Sequence, residues 1–376
     1  MSAIDIPNTS TSISSASSSH DQLVQSQQLP ENTSQRLKRP RSDTISVKIK
    51  NSESLYFPNG DIVLLSLPKD DVVTAFKVDR VFLLRASPVF EGMLELPSLD
   101  DVECHDNVPL VRLQDESEHL ARFLNALYDS RCIPWKKHDA DTVHIVEGIL
   151  LLANKYQVDH LRERIINLLE RDWPPTLSDW DINEGEIGVI SDNLEGTFSI
   201  DTYTPEPCEA IRLARKCGVP SILPAAFYHL SRIRGTADRR LPTTARLVEE
   251  GERTADFLLL SVEDLRCLIV GRDAIFDVFK EYVDEATEKA IKHGHCSSSD
   301  PSECVRGLYK FGDQLEKEML RNRDPLFLMK DGGSCFAWPL DTCDVCRGIY
   351  LTTLENNRGD FWRRLPWLFL LKISEF

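Results

Sequence analysis

The chain has 376 residues, an apolar fraction of 41% and a formal net charge of −16. That length suits roughly two to three domains, with enough apolar material for buried cores. The acidic balance repels phosphate backbones, so direct nucleic-acid binding is not expected, and no apolar run approaches the ~18–20 residues of a membrane span.

Residues 1–50 are dominated by Ser, Thr, Gln and Asn, which bury too little surface to offset ordering entropy; a disordered tail is expected. Its basic cluster, Arg36, Leu37, Lys38, Arg39, Pro40 and Arg41, reads as a short nuclear-import signal or as an ordinary charged tail. The tail shows no apolar h-region, so secretion is not expected, and the ten cysteines read as reduced thiols or metal ligands. A nuclear or cytoplasmic location is expected.

From Phe57 a globular pattern begins. Pro58, Asn59, Gly60 and Asp61 signal a turn, and residues 62–67 read as a strand. Residues 68–71 turn the chain back into a strand at 72–78, where Val72, Thr74, Phe76 and Val78 alternate with Val73, Ala75 and Lys77. Asp79 is placed to cap a short helix carrying Val81, Phe82, Leu83 and Leu84. Ser87 followed by Pro88 starts a second helix, with the hydroxyl at N-cap and proline at the first helical position. Residues 100–109 read as a loop, and Val111 and Leu113 mark a further strand. Asp115 and Glu118 have capping-box spacing ahead of a helix with Leu120, Phe123, Leu124, Leu127 and Tyr128 on its apolar face. Two more helical patterns run from Thr142 to the stop at Pro174 and Pro175.

This order resembles the BTB/POZ domain, a protein-interaction module, over residues 55–172. The matching positions are Asp61, Phe76, Val78, the Leu83–Leu84 pair, Ser87 with Phe90 three residues on, Leu124 with Leu127 and Tyr128, and Ala153 with Tyr156. Asp79 stands where the family usually has histidine. The wording of the stretch is most similar to fungal proteins that pair a BTB domain with a Cys-containing C-terminal region. The resemblance implies an α+β chain: a small sheet flanked by helices, followed by a mainly α-helical region. It implies homodimerisation and recruitment of other proteins, either as substrate adaptor of a cullin-type ubiquitin ligase or as the dimerising arm of a transcriptional regulator. Asp61 and Arg80 match positions where the family places a charged pair near the dimer interface; the alternative is that Arg80 is a solvated residue at a helix start.

Residues 176–207 are strongly acidic, read as a solvated linker or an acidic docking strip, with Trp173 and Trp180 able to pin its first part to a domain. Residues 208–376 form the helical C-terminal domain. Its signals are a break at Gly218, Val219 and Pro220, a capping box at Ser261 and Asp264, and an apolar stripe of Leu308, Phe311, Leu315 and Met319. The final apolar stretch, from Phe361 to Phe369, reads as packed over this domain or as an exposed partner-binding patch.

Cys296, Cys304, Cys343 and Cys346 are the candidate metal ligands. A Cys-x-x-Cys pair lets two thiolates share one tetrahedral ion, and a second pair completes a four-thiolate structural zinc site. His293, His295 and Cys335 are reserve ligands. Two other readings stay open: plain buried thiols, and a redox Cys-x-x-Cys, for which Trp338, Pro339 and Leu340 give poor context. The sequence carries no Gly-rich phosphate loop and no nucleophile elbow, so no catalytic residue, small-molecule substrate or enzymatic activity is expected.

Overall fold

The structure is a computed structural model that describes residues 48–95, 103–194, 199–242, 244–249, 252–335, 337–340 and 342–372. The basic cluster at 36–41 lies outside them. Five strands, β1 (Lys48–Tyr56), β2 (Ile62–Leu65), β3 (Val72–Val78), β4 (Cys104–His105) and β5 (Val108–Arg112), form a sheet of order β1-β3-β2-β5-β4.

The expected hairpin is β2–β3. Ile62 faces Val78 and Leu65 faces Ala75 in antiparallel register. Asp70 and Asp71 form its two-residue loop, both at positive φ, as a type I′ turn requires. A Cβ on Gly60 would sit 3.0 Å from the backbone of Lys77 and Val78, so a larger residue in the turn entering β2 would push β3 away by a few tenths of an ångström. Asp106 and Asn107 repeat the positive-φ pair between β4 and β5, inside the segment expected to be a loop.

β1 is a departure from the sequence expectation, which placed residues up to 50 in a disordered tail. It runs parallel to β3 at the sheet edge, and of its nine residues only Leu55 is buried. Main-chain hydrogen bonds rather than apolar alternation hold it, so hydrophobic periodicity gives no signal there.

Helices α1 (Arg80–Ala86) and α2 (Pro88–Leu94) come after β3. Ser87 caps α2 as expected, its Oγ accepting from Phe90 N at 3.0 Å and donating to Tyr156 O at 2.5 Å. Asp79 does occupy the N-cap position of α1, but its carboxylate makes no cap. It accepts instead from the Tyr128 hydroxyl at 3.1 Å, and Asp61 Oδ1 takes the Arg80 N–H at 2.6 Å. α3 (Ser117–Tyr128) begins one residue later than the capping box implied, with Glu116 at N-cap. Asp115 is buried and accepts from Lys155 Nζ at 2.6 Å and from the Tyr156 hydroxyl. Its carboxylate therefore joins α3 to the next helix instead of capping its own.

α4 (Thr142–Lys155) and α5 (Asp159–Asp172) complete this first part, and α6 (Leu177–Asp192) comes next. α6 corrects the reading of 176–207 as a solvated linker. Thr176 caps it by accepting from Asp179 N, and Trp180 and Asn183 are buried. Three of its five acids are paired rather than free for docking: Asp181 with Arg358, Glu184 with Arg232, Glu186 with Lys137. The two tryptophans do pin it, since Trp173 and Trp180 are both buried.

The remaining helices are α7 (Pro207–Cys217), α8 (Leu223–Arg232), α9 (Thr244–Glu249), α10 (Val262–Lys292), α11 (Pro301–Asn322), α12 (Pro325–Cys335) and α13 (Asp344–Leu368). Gly218, at φ +65°, ends α7, and Ser261 starts α10 by accepting from Asp264 N at 3.0 Å. Leu308, Phe311, Leu315 and Met319 are all buried on α11. Phe361, Trp362, Leu365, Leu368 and Phe369 are buried too, and Trp367 faces solvent. One connected apolar core runs from Leu55 to Leu371, so sheet domain and helical region share an interior.

Candidate functional site

The four predicted cysteines converge. Cys296 lies in the loop after α10, Cys304 in the first turns of α11, Cys343 at the N-cap of α13 and Cys346 in its first turn. All four Sγ atoms lie within 4.8 Å of one another. Cys296 and Cys343 are 3.8 Å apart, far beyond a disulfide bond of about 2.05 Å, so they stand as separate thiols.

Local backbone geometry explains why the Cys-x-x-Cys pair sits here. The Cys346 N–H donates to Cys343 Sγ at 3.5 Å, the bond an N-cap side chain makes to the first turn. The Cys343 N–H in turn donates to Cys304 Sγ at 3.5 Å. The N-terminus of α13 thus aims its N–H groups at two of the sulfurs, which favours thiolate. Burial opposes ionisation at Cys343, but hydrogen bonds from the Cys346 N–H and from Ser297 outweigh it and bring the thiol down to about 5. Burial holds Cys304 and Cys346 above the ordinary thiol range. A cation removes that penalty, because a coordinating thiol is deprotonated outright. The donor set can therefore hold one metal ion.

The reserve ligands fall outside the quartet. His293 Nε2 lies 3.1 Å from Cys346 Sγ, and its Nδ1 accepts from the His295 N–H at 2.9 Å. Nδ1 therefore carries the lone pair and Nε2 the proton, so His293 donates to the sulfur of Cys346 from outside the cluster. The Cys335 side chain lies outside the described residues. An aromatic layer backs the site: Trp338 stacks on Phe311 at 3.6 Å, and Tyr350 meets Trp338 edge-on at 5.6 Å.

The candidate interface residues are neighbours but not an ion pair. Asp61 engages the Arg80 main chain, while the Arg80 guanidinium donates to Leu94 O at the end of α2. Beside them Val81 and Phe82 of α1 are 52% and 44% exposed, and Leu83 alone of that helix is buried. Four consecutive apolar residues, Val81 to Leu84, go all round a helix, so periodicity does not tell which of them meets solvent.

Sequence reasoning missed a second polar cluster, between α5, α6 and α8. The Asp172 carboxylate accepts the His138 N–H at 2.9 Å, and His138 Nε2 lies 3.0 Å from Glu186. Burial pushes the Asp172 carboxyl up to about 6. Arg232 bridges Glu184 and Asp324 nearby. These residues are far apart in sequence, and no local spacing announces them.

A small mixed sheet followed by a capped helical pair is joined here to a helical region that brings four thiols together. Residues 63–172 match the family model of the BTB/POZ domain, and this part of the chain is a BTB/POZ domain. It belongs to a protein-interaction family rather than an enzymatic one. No curated protein matches the chain. No helix among the described residues is long and apolar enough to cross a membrane.

Proposed function

We propose that the chain is a recruiting adaptor whose BTB/POZ domain self-associates and docks a cullin-type ubiquitin ligase, while residues 208–376 present the target. The observation that carries this reading is the α1 face, where Val81 and Phe82 stand in solvent beside Asp61 and Arg80. Two adjacent half-exposed apolar side chains on one helix give a partner an apolar patch to bury. Sedimentation of the full chain at micromolar concentration should give a dimer, and Phe82→Glu a monomer. Affinity capture of the full chain, read by mass spectrometry, should recover a cullin. Recovery of the chain alone removes the ligase part; a wild-type monomer removes self-association.

A second reading, the dimerising arm of a nuclear transcriptional regulator, is favoured by the basic cluster at 36–41. Deleting residues 38–41 should move a fluorescent fusion out of the nucleus, and an unchanged distribution eliminates it.

For Cys296, Cys304, Cys343 and Cys346 we propose structural zinc. A tetrahedral site with Zn–S bonds of about 2.3 Å has S–S edges of about 3.8 Å, in keeping with the 3.8 Å between Cys296 and Cys343. The lowered Cys343 thiol suits a redox pair as well. Convergence of Cys296 and Cys304 on the same point favours the metal.

A further inference from the structure

Four buried side-chain atoms without a hydrogen-bond partner in the protein belong to residues lining one small void: Asp172 Oδ2, Trp173 Nε1, Asn183 Oδ1 and His229 Nε2. The void offers about 10 Å³, room for a single water. Its walls come from the end of α5, from α6 and α8, and from the loops that carry His138, Thr204 and Arg253. Each of the four residues is more than nine-tenths buried, so bulk solvent does not serve these atoms. An unpaired buried polar atom costs about 1–3 kcal/mol, and four of them at one void call for a common partner.

The hydrogen bonds around the void fix the role of every atom. Asn183 Nδ2 donates to Asp172 O at 3.1 Å, which orients the amide and leaves Oδ1 as an acceptor. Arg232 lies 2.7 Å from His229 Nδ1 and can only donate, so Nδ1 is the acceptor and the ring proton sits on Nε2. Burial, with the charges of Arg253 and Arg232, keeps that ring neutral. Trp173 Nε1 is a donor only. Asp172 Oδ1 is taken by the His138 N–H, and above about pH 6, where the carboxyl is ionised, Oδ2 is left to accept. Two donors and two acceptors therefore belong to residues that line one small space. Water supplies two protons and two lone pairs. Ammonium offers only protons, and a halide accepts only.

We propose that this void binds one internal water, accepting from Trp173 and His229 and donating to Asp172 and Asn183. The site ties three helices at a single point. Asp172 is the last residue of the BTB/POZ match, and His229 belongs to the helical region. The water is thus a fixed joint between the interaction domain and the helical region, independent of which partner the domain recruits.

A crystal structure of the full chain that resolves waters tests this. The expected result is a peak within about 3.2 Å of at least three of the four atoms. An empty void, or side chains rearranged to bond one another directly, overturns the proposal. Solution measurement guards against a variant that fails to fold. Water-oxygen relaxation dispersion counts long-lived internal waters, and Asn183→Leu, whose methyl groups occupy the space, should lose one. Equal counts in wild type and the folded variant contradict the site, and the wild-type crystal decides alone if the variant does not fold.

Discussion

The BTB/POZ domain and the carboxy-terminal helices solve the same problem with different means. In the domain, Phe76, Phe90, Phe123 and Tyr156 are buried, Phe90 stacks on Tyr156 at 4.3 Å, and the hairpin and Ser87 cap fix local geometry. Apolar packing and local hydrogen bonds account for it. At the far end, three chain segments that share no local pairing meet at four sulfurs, and α13 begins on one of them. Apolar burial stabilises in proportion to area and without direction, whereas four thiols specify a single point. The contrast predicts that the two ends respond to different insults.

The largest effect is expected from Cys346→Ser. On the proposed zinc site it would remove one ligand and forfeit much of the roughly 10–16 kcal/mol that structural zinc supplies. Circular dichroism should show loss of C-terminal helix with the sheet retained, and chelation of the wild type should give the same spectrum. Phe123→Ala comes next, at roughly 3–5 kcal/mol for a buried aromatic. Urea unfolding should register it with metal content unchanged. A variant that lost metal as well would show that the two ends are one cooperative unit, which their shared core permits.

Acid should act on the joint between them. The folded Asp172 carboxyl, at about 6, lies above its ordinary 3.8. Its contribution to stability is therefore fully present below about pH 4 and is lost as pH rises through about 6, some 3 kcal/mol at most. His138 and His229, lowered by burial, act in the opposite sense. The quantity to compare is thus the difference in urea midpoint between wild type and Asp172→Asn. That difference should favour the variant increasingly from pH 4.5 to 7; a constant difference would contradict the buried carboxylate.

The smallest effects compare one cap chemistry in two places. Ser261→Ala should cost about 1 kcal/mol, the usual value for an N-cap. Ser87→Ala should cost about 2–3 kcal/mol, because it also strips a buried carbonyl, Tyr156 O, of its donor. Equal losses would mean that the second bond of Ser87 contributes nothing.

Much of this was legible because it is local. Ser87–Pro88, the turn into β3 and the Ser261 box lie within a few residues of their bonding partners, and the Cys-x-x-Cys spacing carries its own geometry. The features that were not legible depend on tertiary partners. β1 is an edge strand with a polar sequence, held by β3. α6 hides a buried face in Trp180 and Asn183, and an asparagine does not read as core until Asp172 O is found beside it. Asp61 displaces Asp79 as the cap of α1 only because β2 starts next to that helix. His293 could be named as a reserve ligand, but its place as donor to Cys346 required the fold.

The measurement that tests the central contrast most directly is metal and thiol content of the full chain purified without chelators. About one zinc per chain, released by Cys343→Ser, together with slow alkylation of Cys296, Cys304, Cys343 and Cys346, is the predicted result. Metal-free protein with Cys343 alkylated rapidly, and α13 still folded, would contradict it.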